Sequence, residues 1–406
     1  MSLEIRQITD AEIEQAEFIT AYSFNSRDRQ DLTQAIERSR RFYPATWSIA
    51  SFEDGEMTAF IRTIPFAMRL NGRGLPFAAV GPVVSLPQHR RKGHVGALLR
   101  HALADMRERG QALSGLHTPH PTLYQRYGWE IASVRRQYTF APKDVALKAQ
   151  PKERGRIRLL KADDWPQADR VYRLHSAKRN GPLHRGDVWW REAIFGVSQP
   201  TVVDVALWED GQGEPQGYVT YVQPTRPDGD PLAFWVRELV ALSSDAYLNL
   251  ILYVLRHDLP EQITWSAPPY DPFLSLIDDA PKVKVEEHYT LMLRICDVEA
   301  AFKLRPPAYP EHPSSLTLHV TDSSAPWNEG TWRIETADDG AAQVEKVSGE
   351  ADLTLTATTL APLYNGFLSP SGAALAGLLT ARSEEALASA DAFFATLYPP
   401  FCADGF

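Results

Sequence analysis

The stretch SLPQHRRKGHVGALLRHALADMRERG, residues Ser85–Gly110, joins three consecutive cations and a glycine to an amphipathic segment. Between Val95 and Met106 the apolar side chains recur at the spacing of one helix face, and Gly110 follows as a helix-ending glycine. We therefore expect a helix that begins at or near Gly93. The first N–H groups of a helix have no partner inside it, and the helix dipole favours an anion there. Three cations directly before Gly93 thus predict a binding site for phosphate or pyrophosphate.

The alternative explanation of the three cations is a solvated helix start. Lys and Arg normally favour the C-terminal end of a helix, so three of them at an N-terminus indicate a further purpose. The stretch matches neither the P-loop pattern G-x-x-x-x-G-K-[ST] nor the dinucleotide-binding pattern G-x-G-x-x-G. We therefore expect a pyrophosphate site of another kind.

Around this helix the spacing of apolar residues predicts a mixed α/β organisation. Hairpin turns are indicated by two dipeptides of the Asn-Gly and Asp-Gly type. The predicted elements are helices over 10–24 and 29–42, strands over 46–86 with turns at Asp54-Gly55 and Asn71-Gly72, the helix after Gly93, and strands over 112–117 and 128–140.

Two boundaries divide the chain. The polar stretch 143–155 predicts a linker, and the proline-rich stretch 303–315 marks a second boundary. The part between them repeats the order helix, strands, helix and strand without close identity, which indicates a degenerate internal duplication. The last hundred residues alternate as strands and then turn helical, which is typical of a small α+β domain. We predict domains at 1–142, 143–299 and 300–406.

Composition limits the classes of function. The 406 residues carry a net charge of −9, which argues against nucleic acid as the main partner and suits a cationic small substrate. The two cysteines, Cys296 and Cys402, lie far apart and indicate free thiols in a reducing cytoplasm. The N-terminus lacks a signal-peptide pattern, and no apolar run reaches membrane-spanning length. His117 and His120 form H-x-x-H, and His89, His94 and His101 are nearby, but a metal site needs a further ligand at suitable spacing, so no metal site is expected.

Two short motifs around the predicted helix carry a family resemblance. The loop Arg90–Val95 fits the pattern [QR]-x-x-G-x-[GA] except at its last position, and the element LYQRYGWE follows at Leu123–Glu130. These motifs are similar to those of the enhanced-intracellular-survival (Eis-type) acetyltransferases of the GNAT superfamily. The resemblance runs across the chain, including its final aromatic residue. It implies tandem GNAT folds, each a mixed sheet flanked by helices, and a C-terminal α+β domain that resembles sterol carrier proteins.

The resemblance also implies roles for individual residues. Acetyl-CoA is the implied cosubstrate, and Tyr124 is the implied general acid that protonates the leaving thiolate. The α-carboxylate of Phe406 is the implied general base, although an α-carboxyl pKa of about 3.5 makes it a poor base unless it is desolvated. Phe24 is an implied substrate contact. The implied acetyl-CoA contacts are Val83, Ser85, Arg90, Arg91, Gly93 and His94.

Several residue assignments remain open at this point. Tyr127 is a rival to Tyr124 as the acid. His117, at the end of a predicted strand, is a candidate pocket residue and a second candidate base. Phe406 has the alternative of a frayed chain end, and the aromatic residues of the first helix are usually core residues at such spacing.

The expected activity is acetyl transfer to an amine of an aminoglycoside-like or polyamine-like molecule within a ternary complex. Two other functions stay open: a lipid or small-ligand carrier on a decayed acetyltransferase scaffold, and acetylation of protein lysines. The expected partners are acetyl-CoA and a cationic amine, with no nucleic acid and no membrane. By resemblance we also expect a homo-oligomer, a hexamer, in the cytoplasm.

Overall fold

The computed structural model describes residues 3–24, 29–197, 201–223, 233–308, 314–336 and 342–406. The chain forms two compact units. The first unit contains Met1–Ala132, Leu291–Leu397 and Phe406, and the second contains Ser133–Thr290 and Tyr398–Gly405. No helix within the described residues combines the length and the apolar character that a bilayer crossing needs.

The described part of the first 132 residues alternates helices and strands much as the pattern predicted. Both predicted hairpin turns are confirmed, because Asp54, Gly55, Asn71 and Gly72 all have positive φ. The strands are β1 (Leu3–Gln7), β2 (Ser48–Glu53), β3 (Glu56–Leu70), β4 (Arg73–Ser85), β5 (Leu113–His117) and β6 (Glu130–Ile131). The helices are α1 (Ile13–Ser23), α2 (Arg29–Phe42), α3 (His94–Glu108) and α4 (Pro121–Gln125).

The middle of the chain builds a second α/β arrangement. Its strands are β7 (Val134–Phe140), β8 (Arg156–Leu159), β9 (Asp204–Glu209), β10 (Pro215–Val222), β11 (Ala233–Ala241), β12 (Gln262–Ala267) and β13 (Lys284–Tyr289). Its helices are α5 (Trp165–Ser176), α6 (Asp187–Trp189), which continues as a π-helical turn to Ile194, α7 (Ser244–Leu255) and α8 (Phe273–Leu276).

The C-terminal part is α+β, as predicted. Its strands are β14 (Leu291–Ile295), β15 (Ser314–Thr321), β16 (Gly330–Thr336), β17 (Ala342–Val347), β18 (Leu353–Thr356) and β19 (Leu379–Ala381). Its helices are α9 (Val298–Leu304), α10 (Ala357–Tyr364), α11 (Pro370–Leu375) and α12 (Glu384–Phe394).

The strands pair in three mixed sheets. The orders are β1-β2-β3-β4-β5-β14-β6, β13-β7-β12-β11-β10-β9-β8 and β17-β16-β15-β18-β19. Counted over the described residues, each sheet contains one parallel pair, namely β4 with β5, β11 with β12 and β15 with β18. In the first two sheets a helix, α3 or α7, connects the parallel strands, which is the connection that parallel neighbours require.

The strands β7 and β14 do not pair with their neighbours along the chain in the way that their sequence positions suggest. The sequence pattern predicted one strand over 128–140, but the structure divides it into β6 of the first sheet and β7 of the second. The strand β14 lies between β5 and β6 and completes the first sheet. The chain passes from one unit to the other at 132/133 and at 290/291, and the predicted domain limits, 142/143 and 299/300, stay predictions.

The helix α3 packs its predicted apolar face against the first sheet. Leu98, Leu99, Ala102, Leu103 and Met106 are all fully buried, in a core cluster that also contains residues of β4 and β5. Burial of each leucine contributes about 1.5–3 kcal/mol relative to exposure. This packing fixes the start of α3 at one end of the parallel pair.

Candidate active site

The first sheet opens where β4 leaves β5. These two strands pair in parallel only as far as Val80 opposite Leu116. Beyond that pair, β4 continues to Ser85 along β3, its one partner there in the described part of the chain, and β5 ends one residue later at His117. We call this opening the fork.

The terminal residue Phe406 lies at the fork. A Cβ atom added to Gly81 would lie 3.0 Å from the terminal oxygen and 3.1 Å from the carboxyl carbon of Phe406. The ring of Phe406 packs against His117, with ring centroids 4.7 Å apart, and against Phe77 at 6.1 Å. Sequence alone left a frayed chain end as the alternative for Phe406. In the structure this residue is half-buried and lies at the fork. Gly81, which the sequence analysis did not single out, leaves room for the carboxylate.

The residues before Phe406 belong to the second unit, where they are held by buried contacts. The carboxylate of Asp404 accepts hydrogen bonds from Arg185 Nε and Trp189 Nε1, both at 2.8 Å. The Phe401 N–H donates to the Asn180 carbonyl at 2.9 Å. Sequence reasoning missed Asp404 and Arg185, because no local signal links residues so far apart in the chain.

The basic stretch forms an open turn between β4 and α3. We call Arg90–Gly93 the basic turn; it follows a 3-10 turn at Pro87–His89. Arg91 and Gly93 have φ of 63° and 91°, the left-handed region in which glycine is favoured. A Cβ at Gly93 would meet nothing within 4 Å, so this glycine serves the backbone conformation and leaves the turn uncovered.

The N–H groups of the basic turn and the first turn of α3 are available. Those of residues 91–96 have no hydrogen-bond acceptor among the described residues. The side chains of Arg90, Arg91 and Lys92 are exposed, and Arg90 Nε donates to the Ser85 carbonyl at 3.2 Å. Free N–H groups at a helix start beside exposed cations are suited to an anion. Val95, the departure from the family pattern, packs against the core cluster.

His94 differs from the other predicted acetyl-CoA contacts. Its side chain is only 5% exposed, and neither ring nitrogen has a hydrogen-bond partner. Burial lowers the pKa of His94, which favours the neutral imidazole. The group that His94 presents to an anion is therefore its backbone N–H, while the ring faces the interior near His89.

Tyr124 lies in α4 and packs in the core cluster that contains Val80 and Leu116, the last pair before the fork. It is 7% exposed, and burial raises its pKa to about 12. The phenol is therefore protonated at neutral pH and able to donate to a ligand.

The rival Tyr127 lies against α3. Its hydroxyl occupies the space that a side chain at Gly96 would need, and Arg100 lies over its ring at 5.3 Å. Tyr127 thus packs beside the first turn of α3, and Gly96 is a second glycine whose role the sequence did not indicate.

The aromatic residues of α1 are exposed. Phe24, which follows the last residue of the helix, is 66% exposed, and Phe18 and Tyr22 are also exposed. The helix buries Ile13, Ala16 and Ile19 instead. The usual expectation of a core position is therefore wrong for these aromatic side chains.

Comparison with known proteins decides the family. One sequence profile, described as an acetyltransferase (GNAT) domain, matches residues 4–132, and another with the same description matches residues 181–295. The chain belongs to the GNAT acetyltransferases. A profile of the sterol carrier protein domain matches residues 298–403 of this GNAT acetyltransferase. The predicted duplication, the α/β fold class and the enzyme class are confirmed.

Relatives of this GNAT acetyltransferase match it over most of its length. It is 28% identical over 346 residues to an uncharacterized N-acetyltransferase of Streptomyces avermitilis, with 82% of this chain and 83% of that protein covered. It is 26% identical over 344 residues to N-acetyltransferase Eis of Mycobacterium tuberculosis, with 83% and 81% covered. The crystal structure of Eis1 from Mycobacterium abscessus is 26% identical, with both chains fully covered and a TM-score of 0.82. The predicted resemblance to Eis proteins is confirmed.

Proposed function

We propose that this GNAT acetyltransferase moves the acetyl group of acetyl-CoA to an amine of a cationic small molecule, aminoglycoside-like or polyamine-like, by direct attack in a ternary complex. The observation that carries the proposal is the combination of an open N–H turn with a strand fork that seats the terminal carboxylate. The turn suits a diphosphate, and the fork brings an anion to the position where an amine would lose its proton.

Acetyl-CoA fits the residues of the first unit. The N–H groups of residues 91–96, with Arg90 and Arg91, offer donors and positive charge to the diphosphate. Past Val80 only β3 pairs with β4 among the described residues, so the edge of β4 that faces the fork near Val83 and Ser85 is available to the amides of the pantetheine arm. The thioester would then supply the activated acetyl group.

The chemistry needs one proton removed and one delivered. The amine nitrogen forms a bond to the thioester carbonyl carbon, the C–S bond breaks, and the sulfur leaves as a thiolate. The Phe406 carboxylate is the proposed acceptor of the amine proton, and its charge also attracts a cationic substrate. His117, in contact with the ring of Phe406, is the second candidate base.

Tyr124 is the proposed partner of the departing sulfur. A pKa of about 12 keeps the phenol protonated, but it also makes full transfer to a thiolate of pKa about 8.5 unfavourable by itself. The role that fits Tyr124 is to donate a hydrogen bond that strengthens as negative charge builds on the sulfur. Transfer of the proton to the sulfur is then completed as the amine releases its own proton. The products are a thiol and an acetamide, and the proton that the amine loses is matched by the proton that the sulfur gains.

The decisive test is thiol release from acetyl-CoA with a panel of amines. Polycationic small amines are expected to release free thiol faster than neutral amines or lysine-containing peptides. Titration calorimetry distinguishes the carrier alternative, because a carrier would bind lipid and give no heat with acetyl-CoA. A hexameric assembly and a cytoplasmic location are proposed on the resemblance alone, and light scattering of the purified chain tests the first.

A further inference from the structure

Three side chains that can ligate a metal ion meet beside the basic turn. Glu53 ends β2, His89 lies in the 3-10 turn after β4, and His94 is the first residue of α3. One ligand atom from each lies within 4.8 Å of the others. The sequence indicated no metal site near these histidines because a further ligand was missing at suitable spacing. The fold supplies it from β2.

The two imidazoles are buried and incompletely satisfied. His94 is 5% exposed with both ring nitrogens unpartnered, and His89 is 8% exposed with Nδ1 unpartnered. A buried polar atom without a partner is unfavourable, and native structures keep few of them. These nitrogens share one small region with a carboxylate, so a single ligand could satisfy several of them.

His89 already has the support that a metal ligand usually has. Its Nε2 lies 3.2 Å from Glu56 Oε1. A ligating histidine typically donates its other ring N–H to a carboxylate, which fixes the tautomer and orients the ring. A proton on Nε2 bonded to Glu56 leaves the lone pair on Nδ1, the nitrogen that has no partner.

We propose that Glu53, His89 and His94 bind one divalent transition-metal ion, with Zn²⁺ as the ion best suited to them. Two imidazole nitrogens and one carboxylate oxygen are a donor set typical of zinc, with a fourth position left for water. Ligands on a tetrahedral zinc ion lie about 3.4 Å apart, given bonds of about 2.0–2.1 Å, so small side-chain rotations close the site.

The positive charge of Lys92 would repel a bound metal ion. Its Nζ lies 3.7 Å from Glu53 Oε2, and its side chain is half exposed. An ion pair of that kind contributes little and is readily exchanged for solvent. Because His89 precedes the basic turn and His94 follows it, a bound ion would hold both ends of the turn against the end of β2. This structural effect does not depend on acetyl transfer.

Metal binding itself is the test, made on the full chain after treatment with a chelator. Titration calorimetry with Zn²⁺ alone and visible absorption with Co²⁺ alone are expected to show saturable binding that includes one tight equivalent. Glu53→Gln and His89→Asn are each expected to weaken that equivalent by at least ~100-fold, beyond the loss typical of an outer-sphere change. Lys92→Gln is expected to strengthen it a few-fold. The matched control His101→Asn, at an exposed histidine of α3, is expected to leave it unchanged.

Hydrogen exchange on the unaltered protein keeps the proposal testable if a variant folds poorly. Zn²⁺ is expected to slow exchange of the amides of residues 90–94. Absence of saturable Zn²⁺ binding, equal affinity in the Glu53→Gln/His89→Asn double variant, or binding without slowed exchange in this turn would each overturn the proposal.

Discussion

The two GNAT domains begin their connecting helices in opposite ways. In the first, α3 starts at Gly93 with no side-chain cap, and the N–H groups of residues 91–96 have no acceptor among the described residues. In the second, Ser243 Oγ accepts from the Ala246 N–H at 3.1 Å, and Asp245 adds a negative charge in the first turn of α7. The dipole of each helix favours a negative group at its N-terminus. In α7 the protein's own side chains supply that group, whereas the N-terminus of α3 is left open.

The openings beside the parallel strands also differ, because side chains fill the one in the second sheet. In the second sheet the parallel pair ends at Val236 opposite Trp265. Glu238, just beyond, binds the buried Arg185 at 2.8 and 2.9 Å. Burial acts to raise the pKa of Glu238, but Arg185 holds it below its ordinary value, so the pair stays charged.

These differences show how one fold yields an open site and a closed one. The first fork holds the half-buried Phe406, whose ring packs against His117. The corresponding opening of the second sheet is occupied by the buried ion pair of Arg185 and Glu238. Removing one partner of such a pair would cost about 3–5 kcal/mol, because it leaves an unpaired buried charge. The duplicated scaffold therefore contains one domain with an open helix start and fork, and one in which side chains occupy the corresponding positions.

The largest effect is expected from extending the C-terminus. A short Gly-Ser extension after Phe406 removes the carboxylate from the fork and should lower kcat by about 10²–10⁴-fold, the usual range for a general base. Steady-state kinetics measure it, with the same extension at the N-terminus as control. Gly81→Ala is a companion variant of natural length, because its Cβ would press on the carboxylate, and it should lower kcat in the same direction. A fully active extended enzyme would remove Phe406 from the mechanism.

Tyr124→Phe is expected to have the next largest effect. Loss of the hydroxyl should lower kcat by roughly 10²-fold while the Kd of acetyl-CoA, measured by calorimetry, stays within about 2-fold. Tyr127→Phe is the matched control on the neighbouring ring and should change kcat much less. If the two variants exchanged these outcomes, Tyr127 would be the acid.

Gly93→Ala tests the open helix start. A side chain in the left-handed region costs about 1–2 kcal/mol, so the KM for acetyl-CoA should rise about 5–30-fold with kcat little changed. Gly110→Ala is the matched control, since Gly110 follows the same helix and has φ of 71°. It should destabilise the protein similarly in thermal unfolding but leave the KM for acetyl-CoA unaffected. Equal KM values in the two variants would argue against acetyl-CoA at the basic turn.

The smallest effect is expected in the second domain. Ser243→Ala removes the cap of α7 and should lower the free energy of unfolding by about 1 kcal/mol, with no change in either kinetic constant. Denaturant titration and the thiol-release assay together check this. A changed KM for acetyl-CoA would mean that the second domain also takes part in cosubstrate binding.

Local patterns explain why much of the fold was predictable. The face of α3, the limits of α2 and the two hairpin turns depend on the spacing and backbone preferences of neighbouring residues. The division between β6 and β7 was missed because both halves have strand-like composition. Only pairing with Met292 and Leu293 places the first half in one sheet, and pairing with β12 and β13 places the second half in another.

The candidate site divides in the same way. The motifs located the basic turn, Tyr124 and Phe406, and the comparisons confirmed the family to which such motifs belong. They did not reveal Gly81 beside the terminal carboxylate, or Glu53 beside two histidines. Neither contact has a signature in spacing, because each joins strands or turns that are distant along the chain.

Sequence was thus sufficient to predict the helix that follows the basic turn, the duplicated α/β order and the GNAT resemblance, since each arises from interactions between near neighbours or from a contiguous motif. The three-dimensional fold was needed to show where β7 and β14 pair, which residues lie where the parallel strands separate in each sheet, and that His89 and His94 meet Glu53. Those outcomes depend on long-range strand register and on the burial of groups that must find partners once water is excluded.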